Sequence, residues 1–252
     1  FAQAPIDERI VVVDVDERSL AELGRWPWNR ARLAELIERI FTDYGALLLG
    51  LDLILAEADE SSGLPVLEAL TRGPLRQNAA FCAAVEGLRP TLDYDGRLAD
   101  VLRRHPVVLG FHLSTGAAAT RSGALPPALP IDAGERAQAT GLTDWPGHAA
   151  NLPLLQQVAA GGGFLGAPVD PDGVVRRGWL LARHADQIHG ALPLIMARLL
   201  LGDPALRLHF ADPLPGQTTG PPLTAIELHS TRGSRLIAVD RQGAVLLPFR
   251  RA

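Results

Sequence analysis

Asp16, Glu17, Ser19, Arg30 and Asp52 are the residues whose types and spacing could share chemistry. Asp16 and Glu17 follow Ile10 to Val13, an apolar run with the composition of a buried strand. Asp52 lies toward the end of a second such run, Ala46 to Leu55. Ligands of an open α/β sheet sit outside the carboxyl ends of its strands. If the two strands are neighbours, Asp16 and Asp52 approach each other at that end. Adjacent carboxylates repel unless a cation, an arginine or a proton lies between them. Arg30, just inside a helix start, is one candidate partner. Two readings stay open: a buried Asp–Arg network bracing the strand–helix corner, or a pocket for a ligand or metal. Trp26 and Trp28, around Pro27, read as a packed aromatic corner or as an aromatic cage.

The elements that must position these groups follow from local pattern. Ser19 starts a short amphipathic segment that Gly24 stops, and Asn29 is a good N-cap for a helix from Arg30 to about Tyr44. Strand, helix and strand then make a parallel βαβ unit with a right-handed crossover. Glu57 to Gly63 reads as an acidic loop, and Leu64 to Leu88, broken at Gly73-Pro74, as two short helices. The segment from Asp93 to Arg104 holds a helix with Leu98, Val101 and Leu102 on one face. Val107 to Leu113 is a third apolar strand. Residues 114–160 read as an irregular Pro/Gly-rich segment with a short helix near Leu152 to Ala160. Pro171-Asp172-Gly173 signals a turn between strands Gly163 to Val169 and Gly173 to Ala182, predicting an antiparallel hairpin. Leu192 to Leu201 is an apolar helix. Strand candidates follow at Leu206 to Phe210, Ala225 to His229 with Arg235 to Val239, and Ala244 to Pro248, with Asp240 to Gly243 turning between the last two. The expected fold class is α/β, a mixed and mainly parallel sheet core with covering helices and antiparallel strands in the C-terminal half. The whole of 1–252 is expected to be one domain, with a βαβαβ-like core over 9–113.

Several familiar motifs fail on their context. Gly161 to Gly166 matches G-x-G-x-x-G, but a helix-like stretch precedes it and a strand-like one follows, the reverse of a dinucleotide fingerprint. Those glycines suit a helix stop and a closely packed strand entry. An EF-hand register on Asp170 to Gly173 would put Pro168 and Trp179 at the first and twelfth ligand places, where neither coordinates calcium. Asp93 to Gly96 fails likewise, with Thr91 and Leu102 there. The seven histidines form no H-x-x-x-H or H-E-x-x-H pattern, and there is no G-x-S-x-G.

Composition narrows the classes further. With 252 residues, 47% hydrophobic and 21% charged, the chain is of ordinary globular type. A net charge of -4 gives no footprint for nucleic acid. All 24 cationic side chains are arginine, which excludes a P-loop lysine, a Schiff-base lysine and a Ser-Lys dyad. A single cysteine, Cys82, excludes an internal disulfide and any Cys-based zinc site, and its helical apolar setting suggests a small buried residue. No cofactor is expected, and no run is long enough for a membrane span. The start at Phe1 without a methionine suggests an excised fragment.

The ordered blocks I-V-V-V-D-V-D-E-R-S-L, G-R-W-P-W-N-R and G-A-L-L-L-G-L-D, followed by G-F-L-G-A-P-V-D-P-D-G-V-V-R-R and D-R-Q-G-A-V-L-L-P-F-R, resemble the type-2 CHASE domain. That family is the extracytoplasmic sensor region of bacterial transmembrane cyclases, histidine kinases and diguanylate cyclases. The resemblance runs from about residue 9 to 250 with a poorly matching middle. It implies a periplasmic sensor of an inner-membrane receptor, with membrane helices flanking this stretch, a small-molecule or environmental signal, a cytoplasmic catalytic output and a homodimeric receptor. It makes the D-P-D-G-V-V-R-R block a structural hairpin, with Asp172 and Gly173 in its turn and Arg176 paired to an acid on a neighbouring strand. The alternatives from other classes are a soluble α/β hydrolase or transferase using acids at the sheet's carboxyl end, and a ligand-free dimerisation module.

Overall fold

Side-chain caps open the first helices, the one at Asn29 expected and the one at Asp16 not. In the computed structural model, which describes residues 7–115, 120–212, 220–230 and 233–247, Asp16 caps α1 (Glu17–Leu23) and Asn29 caps α2 (Arg30–Thr42). The chain continues through β1 (Leu49–Leu51), α3 (Leu64–Arg72), α4 (Ala79–Leu92), α5 (Tyr94–Arg104), β2 (Val107–Ser114), β3 (Arg121–Ser122), α6 (Ala133–Gln138), β4 (Gly147–Ala149), α7 (Pro153–Gln156) and β5 (Gly161–Leu165). It ends with β6 (Arg177–Trp179), β7 (Leu181–His184), β8 (Gln187–Gly190), α8 (Leu192–Leu200), β9 (Ala205–Phe210), β10 (Leu223–Ser230), β11 (Gly233–Ala238) and β12 (Ala244–Leu246).

β2 is the spine of a mixed sheet. β1 runs parallel to it at Val107–Leu109, β5 parallel at Val108–His112, and β4 antiparallel at His112–Ser114, with β3 parallel to β4. Antiparallel pairs hold the C-terminal half: β9–β10–β11, β7–β8 and β6–β12. The fold is therefore α/β with a mixed sheet, as expected.

Apolar stripes explain the layers. Leu33, Ala34 and Ile37 on α2 and Leu98, Val101 and Leu102 on α5 share one face each, and both stripes pack with Val107 and Leu109 of β2 and Leu155 of α7. Each such Leu or Ile contributes about 1.5–3 kcal/mol by leaving water. A second core joins Leu142, Leu181, Ile188 and Leu194 to the sheet of β9, β10 and β11. Between the two lies a third, of Phe111, Leu113, Ala150, Phe164, Ala182 and Ala191, with Trp145 and Trp179 against it. At Gly163 an added Cβ would lie 2.4 Å from Leu192 Cα, so close packing of β5 on the start of α8 accounts for a glycine there.

Five expectations are corrected. Residues Ile10 to Val13 form no strand and are 56–86% exposed, so the βαβ unit they were to open is not built. The turn at Asp170 closes, with Gly173 N–H donating to the Asp170 carbonyl at 2.8 Å, but no hairpin grows from it. β5 pairs with β2 and β6 with β12, because turn chemistry is local while the choice of strand partner is tertiary. For the same reason the Asp240–Gly243 turn forms but β12 does not pair with β11; Pro248 lies outside the described residues. The stretch expected to be irregular, 114–160, contributes β3, α6 and β4 to the body. Cys82 is half-buried, its thiol facing the carbonyls of Leu75 and Arg76.

Candidate functional site

The start of α2 gathers a set of part-buried charged groups. Asn29 Oδ1 accepts from Arg32 N–H at 2.9 Å, and Asp59 Oδ2 accepts from Arg30 N–H at 2.6 Å. Two of the helix's orphan donors are thus satisfied, and a carboxylate faces the positive end of the helix. Asp59 Oδ1 also takes the Ser61 N–H at 2.9 Å and its hydroxyl at 2.5 Å. Behind it, Asp95 Oδ2 accepts from Asp59 N–H at 2.8 Å. The Arg30 guanidinium reaches the Glu57 carbonyl at 3.3 Å, and its Nε lies 3.6 Å from Asp95 Oδ1.

That last pair is close enough to attract but not to hydrogen-bond. Both atoms are buried and have no hydrogen-bond partner. Burial pushes the Asp95 carboxyl above its ordinary value; the Asp59 N–H and the Arg30 charge oppose this, and the Asp59 and Asp93 charges add to it. Burial also pushes Asp59 upward, yet hydrogen bonds from the Ser61 hydroxyl and from the Arg30 and Ser61 backbones outweigh it and hold that carboxyl low. Two neighbouring acids are thereby driven in opposite directions. An open groove of about 580 Å³ lies over this corner, with Arg25, Trp28, Arg30, Arg32, Glu57 and Asp59 among its walls.

The residues singled out from sequence divide. Arg30 and Trp28 line the groove; Trp28 is buried, donates from Nε1 to the Gly24 carbonyl at 3.0 Å, and meets Trp26 edge-on at 5.6 Å, the geometry of a packed corner. Asp16 is exposed and caps α1 through Ser19, whose N–H and hydroxyl lie 2.8 and 2.7 Å away. Glu17 is exposed in the first turn of that helix, and Asp52 is exposed beyond β1. An Arg30–carboxylate network does exist, but its acids are Asp59 and Asp95. Asp59 sits in a stretch read only as an acidic loop, and Asp95 in a helix start tested only for calcium. The available signal was the attraction of a helix N-terminus for an acid supplied by the loop after the next strand.

The block at 170–177 is a charge clamp. Arg176 binds Asp172 at 2.7 Å and Asp170 at 3.2 Å within its own turn, not an acid on a neighbouring strand; Arg177 makes the longer reach, to Asp170 at 2.6 Å and Asp240 at 3.2 Å. Gly173 takes the positive φ of 81° that the turn requires. Among the described residues, no group of three or more His, Cys, Asp or Glu is arranged to hold a metal ion, and no helix is long and apolar enough to cross a membrane.

No curated protein and no solved structure matches the chain. The family model of the CHASE2 domain matches residues 1–252, so the chain belongs to the CHASE2 family of extracytoplasmic sensory domains.

Proposed function

We propose that the chain is one sensor domain of an inner-membrane receptor. It detects a small molecule through the groove at the start of α2 and passes the signal to a cytoplasmic adenylate cyclase, diguanylate cyclase or histidine kinase, as a homodimer. The family supports the sensory role. The observation that carries the location is the pair Arg30 Nε and Asp95 Oδ1, buried at 3.6 Å without hydrogen bonds behind a groove rimmed by charges of both signs. A ligand entering there would meet donors from Arg25, Arg30 and Arg32 and acceptors from Glu57 and Asp59. That mixture suits a small polar molecule carrying both an acidic and a donor group. The mechanism is a population shift: a ligand that binds one arrangement of the α2 start and the 55–63 loop better than another biases the domain toward it.

A thermal-shift screen of amino acids, organic acids, sugars and nucleotides tests this. A ligand at 100 times its dissociation constant stabilises the fold by about 2.7 kcal/mol. Arg25 and Glu57 are exposed, so Arg25→Ala and Glu57→Gln should remove the shift and leave the apo transition in place. A panel without hits, or hits that survive both variants, overturns the groove as the site.

A further inference from the structure

Three histidines that sequence pattern does not connect are brought together by the fold. His148 on β4, His184 on β7 and His189 on β8 stack edge to face, with ring centroids 5.0 Å apart for His148–His184 and 6.3 Å for His184–His189. His184 and His189 are only 4% and 5% exposed. Their surroundings belong to the middle core: His189 meets the Phe111 ring at 5.8 Å, and Trp145 lies beside His184. His184 Nδ1 faces the Trp145 carbonyl at 2.5 Å, while His148 Nδ1 is buried with no hydrogen-bond partner.

No acid compensates the cluster. The histidine–carboxylate pairs among the described residues are His105–Glu38, His209–Glu227 and His229–Glu227, none of them here. The charged groups around it are basic or turned away. Arg121 on β3 is in register with His148 and adds a positive charge. Arg183 on β7 points to the carbonyls of Arg136 and Ala139. Asp186, in the β7–β8 turn, and Asp144, before Trp145, are exposed; Gln187 on β8 is neutral, and His112 on β2 is exposed. Phe111 on β2, Phe164 on β5 and Ala191 before α8 bring no charge.

We infer that this cluster is a proton-binding site that makes the domain acid-responsive, charging of His148, His184 and His189 parting the β7–β8 hairpin from the central sheet. The position of the rings gives the lever. β4 belongs to the sheet built on β2, whereas β7 and β8 carry Leu181 and Ile188 into the C-terminal core. A first proton puts an unpaired charge into an apolar seam, and a second meets the first 5–6.3 Å away. Opening hydrates the rings and separates the charges, so proton uptake and opening are linked. Burial above all, then the His184 charge, holds His148 below its ordinary value; burial with the His184 and His148 charges holds His189 down at about 4. This site is separate from the groove, and either assignment stands without the other.

The test is an imidazole NMR titration of the domain from pH 7.5 to 3.5, with amide exchange in β4, β7 and β8 measured in parallel. The expected result is that His148 and His189 titrate below 6.5, the ordinary imidazole value, and that protection of those strands, corrected for intrinsic exchange, falls by about tenfold per pH unit for each linked proton. His148→Gln, at a half-buried position, and His189→Phe, beside Phe111, should each flatten that fall. Variant thermal transitions at pH 7.5 check folding, and either variant alone suffices. Ring titration of both at the ordinary imidazole value, or an unchanged fall in the folded variants, overturns the proposal. So does stabilisation by zinc(II) that EDTA reverses and His184→Gln removes, since a metal would then be the ligand. Ligand shifts at the groove, read at pH 7.5, should be the same in both variants, so the two claims fail separately.

Discussion

The charged corner at the start of α2 and the histidine seam of β4, β7 and β8 treat charge in opposite ways. At the start of α2, Arg30 stands among Asp59 and Asp95, its positive charge acting on both carboxylates. At the seam of β4, β7 and β8, three imidazoles and Arg121 gather with no acid. A compensated cluster holds its geometry across ordinary pH and is costly to break at one partner. An uncompensated cluster is stable only while neutral. The first can shape a binding surface, and the second can report acidity.

The largest break in that comparison should come from Arg30→Ala. Arg30 and Asp95 side chains are 16% and 13% exposed, and removing one partner leaves buried carboxylates uncompensated. We expect a loss of about 3–5 kcal/mol by denaturant unfolding. Asp95→Asn should cost clearly less, because the carboxyl it replaces is already pushed toward its neutral form by burial. Equal losses would show that the corner is held by packing and not by charge.

The seam should show itself next, through pH. His189 is held at about 4 in the folded chain, chiefly by burial, against 6.5 as its ordinary value. Above pH 6.5 both states are neutral there and the residue adds no dependence. As pH falls below 6.5 the unfolded chain takes up the proton first, so stability drops until about pH 4, where the folded chain is protonated too. The span corresponds to about 3 kcal/mol. His189→Phe should remove that share of the acid loss, and a wild-type curve flat from pH 7 to 4.5 would contradict it.

The smallest effects belong to the exposed N-terminal stretch. Asp16→Ala removes the cap of a helix with no buried residue, so global stability should move by less than about 0.5 kcal/mol. Val12→Asp should be equally mild, since Val12 is 86% exposed. A loss above about 1.5 kcal/mol for Val12→Asp would show that the run packs as a strand after all.

What sequence made legible was local. The cap at Asn29, the stripe of α5, the break at Gly73-Pro74 and the turn at Asp170 to Gly173 are each written within a few residues, whereas Asp16, read as an acid at a strand end, proved to be a helix cap. Partner choice was not: β5 and β6 flank one turn yet enter different sheets, and β4 emerged from a stretch without periodicity. The site followed the same division. Arg30 and Trp28 were found because a helix start and a Trp-Pro-Trp corner are visible in one segment. Asp59, Asp95 and the three clustered histidines were not, because contacts spanning Arg30 to Asp95 and His148 to His189 exist only after folding. Ile10 to Val13 shows the converse, an apolar run whose composition suggested burial that the structure does not provide.

The measurement that bears most directly on the sensor reading is the output activity of the proposed membrane-anchored receptor against a ligand found in the thermal-shift screen, with Glu57→Gln beside the wild type. The account predicts that the ligand changes output in the wild type, and that Glu57→Gln keeps basal output but loses the response. Ligand that binds the domain yet leaves output unchanged, or a response undiminished by Glu57→Gln, would contradict it.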